Sequence, residues 1–149
     1  MPRSSTPPRE SGAKMKILII DAQGGGIGKQ LVNAVKREFS GVEITAVGTN
    51  SVATGAMLKA GADHAATGEN PVIVGARKAD IIAGPIGIVI ADSLYGEITP
   101  QMALAVAQSN AKRILIPFNH CDNIIAGVSD LSVGKLVQSA VEEIRKILA

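Results

Sequence analysis

Short apolar runs alternate with amphipathic stretches along most of the chain. The first run, Met15 to Ile20, ends at Asp21 and has the composition of a strand buried on both faces of a sheet. Four further apolar runs predict four more strands. They are Glu43 to Val47, Asp63 to Ala66, Asp80 to Ala83 and Lys112 to Ile116.

The stretches between these runs have the spacing of helices. A helix follows the first strand and ends at Ser40-Gly41, and another begins with Ser51 as its N-cap and ends near Lys59, just before Gly61. Asn70-Pro71 and Thr99-Pro100 mark two further helix starts, because proline suits the first helical position. The apolar positions of the first and last helices are Ile27, Leu31, Ala34, Val35 and Phe39, and then Leu136, Val137, Ala140, Val141, Ile144, Ile147 and Leu148.

Two segments are harder to interpret. The length of Ile88 to Leu94 suits a strand or a short buried helix, and we favour the helix. Pro117 to Asp130 should be mostly loop, with a short extra strand at Ile124-Ile125.

Strands that alternate with helices predict right-handed crossovers and a parallel sheet covered on both faces. The expected fold is a three-layer, Rossmann-like, doubly wound α/β domain of about five strands. Its expected strand order is 3-2-1-4-5, with the flavodoxin-like order 2-1-3-4-5 as the alternative. We expect one such domain over residues 15–149, preceded by a disordered arm or expression remnant over residues 1–14.

The composition narrows the class of protein further. Hydrophobic residues make up 46% of the 149 residues and aromatic residues 2%, which excludes disorder and indicates a core of Ile, Val, Leu and Ala. The 15 Lys and Arg nearly balance the 13 Asp and Glu, so nothing indicates a nucleic-acid partner. A single Cys excludes an internal disulfide, and no apolar stretch is long enough for a signal peptide or a membrane span. We therefore expect a cytoplasmic protein without a membrane partner.

The turn after the first strand carries the sharpest functional signal. Asp21-Ala22-Gln23 is followed by Gly24-Gly25-Gly26-Ile27-Gly28, directly before the first helix. Glycines allow a tight turn and the close approach of a phosphate, and a helix N-terminus presents free N–H groups to an anion. The turn is neither G-x-G-x-x-G nor a P-loop, but it resembles the T-G-x-x-x-G-I-G turn of short-chain dehydrogenases. We therefore assign cofactor binding to Asp21, Gln23, Gly24, Gly25, Gly26, Ile27 and Gly28.

The other turns at the carboxyl edge of the sheet should complete this site. NAD sites place an acidic residue about 20 residues beyond the glycines, whereas this chain has Gly48-Thr49-Asn50 there. Asn50 could bind a ribose or cap the following helix. A Tyr-x-x-x-Lys pair is missing, because Thr99 stands four residues after Tyr95, so hydride transfer is disfavoured. The remaining candidate cofactor residues are Thr49, Asn50, Gly68, Glu69, Gly84, Pro85 and Ile86.

The leading hypothesis is thus a nucleotide- or dinucleotide-binding domain with an NAD(P)-like ligand. One alternative is a small hydrolase or transferase that uses Cys121 or His120 with Glu69, although neighbouring residues of an extended loop point apart. No spacing of residues requires a metal.

Another alternative is a non-catalytic regulatory subunit, because Ile81 to Leu94 holds more apolar residues than one strand and its turn can bury. The residues concerned are Ile86, Ile88, Val89, Ile90 and Leu94, which either complete the core or form an interface. We expect a homo-oligomer joined through the Gly84–Ala107 region.

Four segments together resemble one bacterial family of domains of unknown function, DUF3842. They read DAQGGGIGKQLV, ITAVGTNSVATGAMLKAGADHAATGEN, ADIIAGPIGIVIADSLYGEITPQMA and ILIPFNHC. The resemblance implies a Rossmann-like protein over nearly all of the chain from Met15 onward, and it implies no particular reaction.

Overall fold

The five apolar runs form the strands of one sheet in the computed structural model, which describes residues 13–118, 123–129 and 131–149. The strands are β1 (Met15–Asp21), β2 (Val42–Gly48), β3 (His64–Thr67), β4 (Ile81–Pro85) and β5 (Lys112–Ile116). All neighbouring pairs are parallel, and the order is β3-β2-β1-β4-β5. The predicted order is confirmed, and the flavodoxin-like alternative is wrong.

Helices cover both faces of the sheet, as the doubly wound architecture requires. They are α1 (Gly26–Glu38), α2 (Ser51–Lys59), α3 (Glu69–Lys78), α4 (Pro100–Gln108) and α5 (Val133–Leu148). One core packs α1, α2 and α5 against alternate side chains of the strands, among them Ile17, Ile19 and Ile44. The other packs α3 and α4 against the opposite face, which presents Leu18 and Ile82. The central strands β1 and β4 are therefore apolar at consecutive positions because both of their faces are buried.

The start of α2 confirms the alternative in which Asn50 caps this helix, and the prediction of Ser51 as the N-cap is wrong. Asn50, rather than Ser51, is the N-cap: its backbone is extended, and its side chain accepts a hydrogen bond from the Ala53 N–H at 2.9 Å. Both residue types cap helices well, so composition alone did not separate the two positions.

Two other predictions about local structure are wrong. The segment Ile88 to Leu94 is not one helix, because a 3₁₀ turn over Ile86–Val89 gives way to a series of turns. Positive φ angles at Asp92 and Leu94 stop any helix from continuing. Ile124 and Ile125 do not form a strand. None of the helices in the described ranges combines the length and apolar character needed to cross a bilayer.

Candidate functional site

The turn after β1 is held from the inside by Asp21, the last residue of that strand. Its carboxylate is only 5% exposed and accepts hydrogen bonds from the Ala22 N–H at 2.8 Å and the Gly28 N–H at 2.7 Å. Burial raises the pKa of Asp21, and it outweighs the opposing effect of these N–H groups. The Asp21 side chain is thus committed to the turn itself.

Two of the turn's glycines are required by packing. Gly25 has φ +75°, and a Cβ at this position would lie 2.8 Å from the Ala53 Cα. A Cβ at Gly28 would lie 2.5 Å from the Met57 Sδ and 2.8 Å from the Asp21 Cβ. Both glycines therefore allow α2 to approach the first turn closely.

Gly24 and Gly26 have a different environment. Neither has a φ in the left-handed range, and a Cβ at either position would meet no heavy atom within 4 Å. The fold of the chain therefore does not require glycine at these two positions. Both residues border a cleft.

This cleft, which we call the glycine cleft, has a volume of about 210 Å³ and opens at the carboxyl ends of β1 and β4. The strand order reverses between those two strands, and open α/β sheets bind ligands at such a point. Backbone of the glycine turn forms one wall, and mainly apolar side chains form the other. The lining residues are Asp21, Ala22, Gln23, Gly24, Gly25, Gly26, Ile27, Gln30, Pro85, Leu94, Phe118 and Val133.

A larger groove of about 330 Å³ lies between α3 and the sheet. It runs beside the amino-terminal halves of β1 and β2, where Lys16 and Glu43 stand at its rim. Its described lining includes Pro71 from the first turn of α3 but no glycine-rich turn at the carboxyl end of a strand, so the glycine cleft is the better candidate for a ligand site.

A carboxylate reaches the β2 turn from a distant part of the chain. Glu97 Oε1 accepts hydrogen bonds from the Thr49 hydroxyl at 2.7 Å and the Asn50 Nδ2 at 2.6 Å. The Gln23 N–H also donates to both Glu97 oxygens, at 3.2 Å and 3.1 Å. Glu97 thus joins the turns of β1 and β2. The sequence did not predict an acidic side chain at the end of β2. Glu97 lies twelve residues after the end of β4 in the chain, and it reaches β2 only in the folded protein.

The loop that carries Glu97 has an unusual backbone. Asp92, Leu94 and Tyr95 have φ angles of +64°, +55° and +57°, and Gly96 follows with +81°. Such conformations are costly for residues other than glycine and persist where the surrounding structure fixes them. The Ser93 hydroxyl donates to the Gly87 carbonyl, and the Asp92 N–H donates to the Ile98 carbonyl at 2.7 Å. The loop is therefore fixed in place by its own hydrogen bonds as well as by Glu97.

The structure brings seven of the predicted cofactor residues to the glycine cleft: Asp21, Gln23, Gly24, Gly25, Gly26, Ile27 and Pro85. Gly28, Thr49, Asn50, Gly68, Glu69, Gly84 and Ile86 are not among the residues that line it. Glu69 accepts a hydrogen bond from the Thr99 hydroxyl at the start of α4. Gly84 is required by packing, because a Cβ there would overlap the Ile20 carbonyl oxygen.

The catalytic candidates His120 and Cys121 lie outside the described residues. Sequence reasoning missed Glu97, Gln30, Leu94, Phe118 and Val133. Glu97 carried one weak signal, its position in a loop after a predicted strand.

Comparison with known proteins shows the family of the chain. The family model described as "Domain of unknown function (DUF3842)" matches residues 16–149. A solved structure, the dodecameric FMN-dependent Ubix-like decarboxylase from Escherichia coli O157:H7, matches with 19% identity and a TM-score of 0.46. That match covers 88% of this chain and 76% of the other. No curated protein matches. The family match thus spans helices α1 to α5 and the sheet except for Met15, the first residue of β1.

Proposed function

We propose that this chain, which belongs to the family described as Domain of unknown function (DUF3842), binds a phosphate-bearing nucleotide in the glycine cleft. The phosphate lies against the backbone of Gly24 and Gly26 at the N-terminus of α1. The rest of the ligand lies along the apolar wall.

The open space at Gly24 and Gly26 carries this proposal. Packing and backbone conformation account for Gly25 and Gly28, but they account for neither of these two positions. A ligand that approaches the backbone closely does account for them, because a Cβ would occupy its place. No described residue accepts a hydrogen bond from the Gly24 or Gly26 N–H, so both donors are available to a phosphate oxygen.

The charges around the cleft support a phosphate held by backbone rather than by cations. No Lys or Arg is present among the described residues that line the cleft. The 13 residues of α1 point their positive dipole end toward Gly26, which favours an anion there. On the opposite wall, Phe118 is 38% exposed beside Pro85 and Leu94, and its ring is available to a nucleobase.

A thermal-shift panel of NAD, NADP, ATP, GTP, FMN and S-adenosylmethionine tests the proposal. A ligand present at 100 times its Kd stabilises the folded state by about 2.7 kcal/mol. Gly24→Val and Gly26→Val should remove that shift while keeping the melting temperature of the free protein within a few degrees.

Gly41→Val is the matched control. Gly41 also has open space at its Cβ position and no left-handed φ, but it lies between α1 and β2 at the opposite edge of the sheet. This variant should keep the full ligand shift. The proposal is wrong if no nucleotide raises the melting temperature of the natural chain, or if the Gly24 and Gly26 variants respond as Gly41→Val does.

A further inference from the structure

Glu97 divides the carboxyl edge of the sheet into two compartments. Its loop leaves β4, and its carboxylate passes the turn of β1 to reach Thr49 and Asn50 after β2. The glycine cleft lies on the β4 side of this bridge, where Pro85 and Phe118 line it. The β2 side is where a doubly wound sheet of this order binds the ribose of a dinucleotide.

The donors on the β2 side are already used by the protein. The Thr49 hydroxyl and one Asn50 N–H both donate to Glu97 Oε1, and the Asn50 amide also donates to the Gln23 carbonyl at 3.0 Å. A ribose placed there would have to displace a carboxylate that accepts hydrogen bonds from Thr49, Asn50 and Gln23. Charged hydrogen bonds of this kind are about twice as strong as neutral ones.

We propose that Glu97 limits the site to mononucleotides and excludes dinucleotides. This inference rests on the proposed function and adds the class of ligand to it. The volume of the glycine cleft, about 210 Å³, lies below the roughly 300–1,000 Å³ of pockets for drug-sized ligands. A phosphate and one nucleoside can enter from the β4 side, while the second half of a dinucleotide meets the Glu97 bridge.

The strained loop is the second reason to assign this role to Glu97. Three non-glycine residues with left-handed backbone precede it within six positions. Such strain concentrates at functional sites, where the surrounding structure holds it in place. Because the hydrogen bonds of the loop and of Glu97 itself fix this backbone, the carboxylate stays at the β2 turn instead of moving aside when a ligand arrives.

Isothermal titration with two matched pairs of ligands, AMP with NAD and FMN with FAD, tests this assignment. Each dinucleotide contains its paired mononucleotide, so the members of a pair differ only by the second half. The natural chain should bind at least one mononucleotide about tenfold or more tightly than its paired dinucleotide. Glu97→Ala should tighten binding of that dinucleotide about tenfold and change binding of the mononucleotide less than threefold.

Two further variants keep the result interpretable. Glu97→Gln retains the size of the side chain and loses its charge, so it should relax the exclusion less than Glu97→Ala does. Glu142→Gln, on the exposed surface of α5 beside Arg145, is the control and should behave as the natural chain. Circular dichroism melts of each variant establish that it is folded before titration.

The assignment is overturned if Glu97→Ala and Glu97→Gln weaken mononucleotide binding about tenfold, since Glu97 would then recognise the ligand. It is equally overturned if the dinucleotide binds the natural chain as tightly as its mononucleotide, or if folded Glu97 variants leave every affinity unchanged. In these cases the proposed function stands as long as one nucleotide binds. If the natural chain binds none of the four ligands, this inference fails, and the proposed function fails with it only if the thermal-shift panel is negative as well.

Discussion

The glycines of the first turn can be separated by what a single methyl group would cost at each position. Gly25→Ala adds a Cβ to a left-handed residue 2.8 Å from the Ala53 backbone, and Gly28→Ala adds one against Met57. Overpacking of this kind costs about 1–3 kcal/mol of folding free energy. The Cβ added by Gly24→Ala or Gly26→Ala lies in open space. These two substitutions should therefore change the folding free energy by no more than about 0.5 kcal/mol.

Urea denaturation of these variants in the absence of ligand measures the difference. Equal destabilisation by all four substitutions would contradict this prediction.

The sequence predicted the turn and its position, since consecutive glycines after an apolar run are a local signal. It did not separate the glycines, because that depends on how closely α2 approaches the turn.

The Glu97 carboxylate makes stability depend on pH in a defined direction. Burial acts to raise its pKa, but the hydrogen bonds from Thr49, Asn50 and the Gln23 N–H prevail and lower it below the ordinary value of 4.5. The folded protein therefore favours the ionised form more than the unfolded chain does. The resulting stabilisation is complete above the unfolded pKa and is lost as the pH falls through the lowered folded-state pKa.

Urea midpoints of the natural chain and Glu97→Gln, measured from pH 6 to pH 3, should show this loss. The two free energies of unfolding should differ most at the upper end and converge below about pH 4.5. Asp21 acts in the opposite direction, because burial, and to a smaller extent the Glu97 charge, raises its pKa. Glu97→Gln removes only the smaller of these two causes, so most of the Asp21 effect is common to both proteins. A difference that stays constant with pH would show that the Glu97 charge does not stabilise the fold.

At the scale of elements, the start of α2 connects helix capping to the site. Asp caps helices as well as Asn does, and a negative charge favours a helix N-terminus, so Asn50→Asp should be neutral for an isolated helix. In the folded protein, however, the Asn50 Nδ2 donates to both Glu97 and the Gln23 carbonyl. An aspartate oxygen there would face two acceptors, and we expect a loss of about 1–3 kcal/mol.

A double-mutant cycle with Glu97→Gln measures this loss by urea denaturation. The cost of Asn50→Asp should shrink in the Glu97→Gln background, because one of the two opposing acceptors loses its charge. An additive result would mean that Asn50 and Glu97 do not interact. The cycle therefore tests directly the contact between Asn50 and Glu97, by which Glu97 divides the carboxyl edge of the sheet into two compartments.

The strands and the cap residues show how far local patterns determine these elements. Five apolar runs predicted five strands, because a parallel strand buried on both faces needs several consecutive apolar side chains. The segment Ile88 to Leu94 satisfied the same pattern but forms a 3₁₀ turn and further turns. Its apolar residues fill the core from irregular backbone, where Ile88 and Leu94 are 1% and 5% exposed. Apolar content therefore predicted their burial but not their conformation.

At the scale of the whole molecule, the site depends on contacts between distant segments. Glu97 and Gln23 are 74 residues apart in the chain, and their contact exists only because β1 lies between β2 and β4 in the sheet. The predicted strand order placed their turns along one edge. The path of the loop across that edge follows from backbone conformations that the amino-acid types do not specify, since Asp92, Leu94 and Tyr95 all adopt left-handed φ angles.

The burial of Ile88 and Leu94 also changes the predicted interface. Both residues belong to the core between the sheet and α4, so they do not join protomers. Within the Gly84–Ala107 region, exposed apolar surface is contributed instead by Tyr95, which is 92% exposed, and by Leu104 on α4, which is 55% exposed. We still expect a homo-oligomer through this region, now centred on Leu104, because paired protomers would cover these side chains.

Sedimentation equilibrium of three proteins tests this expectation. The natural chain should have a mass that is a multiple of 15.3 kDa, and Leu104→Asp should sediment near the monomer mass with an unchanged circular dichroism spectrum. Ile88→Asp should instead unfold, because an unpaired charge at a core position costs more than about 4 kcal/mol, a large part of the stability of a typical domain. If the natural chain sediments as a monomer at micromolar concentration, the prediction of a homo-oligomer is wrong. A folded Ile88→Asp protein would contradict the assignment of Ile88 to the core.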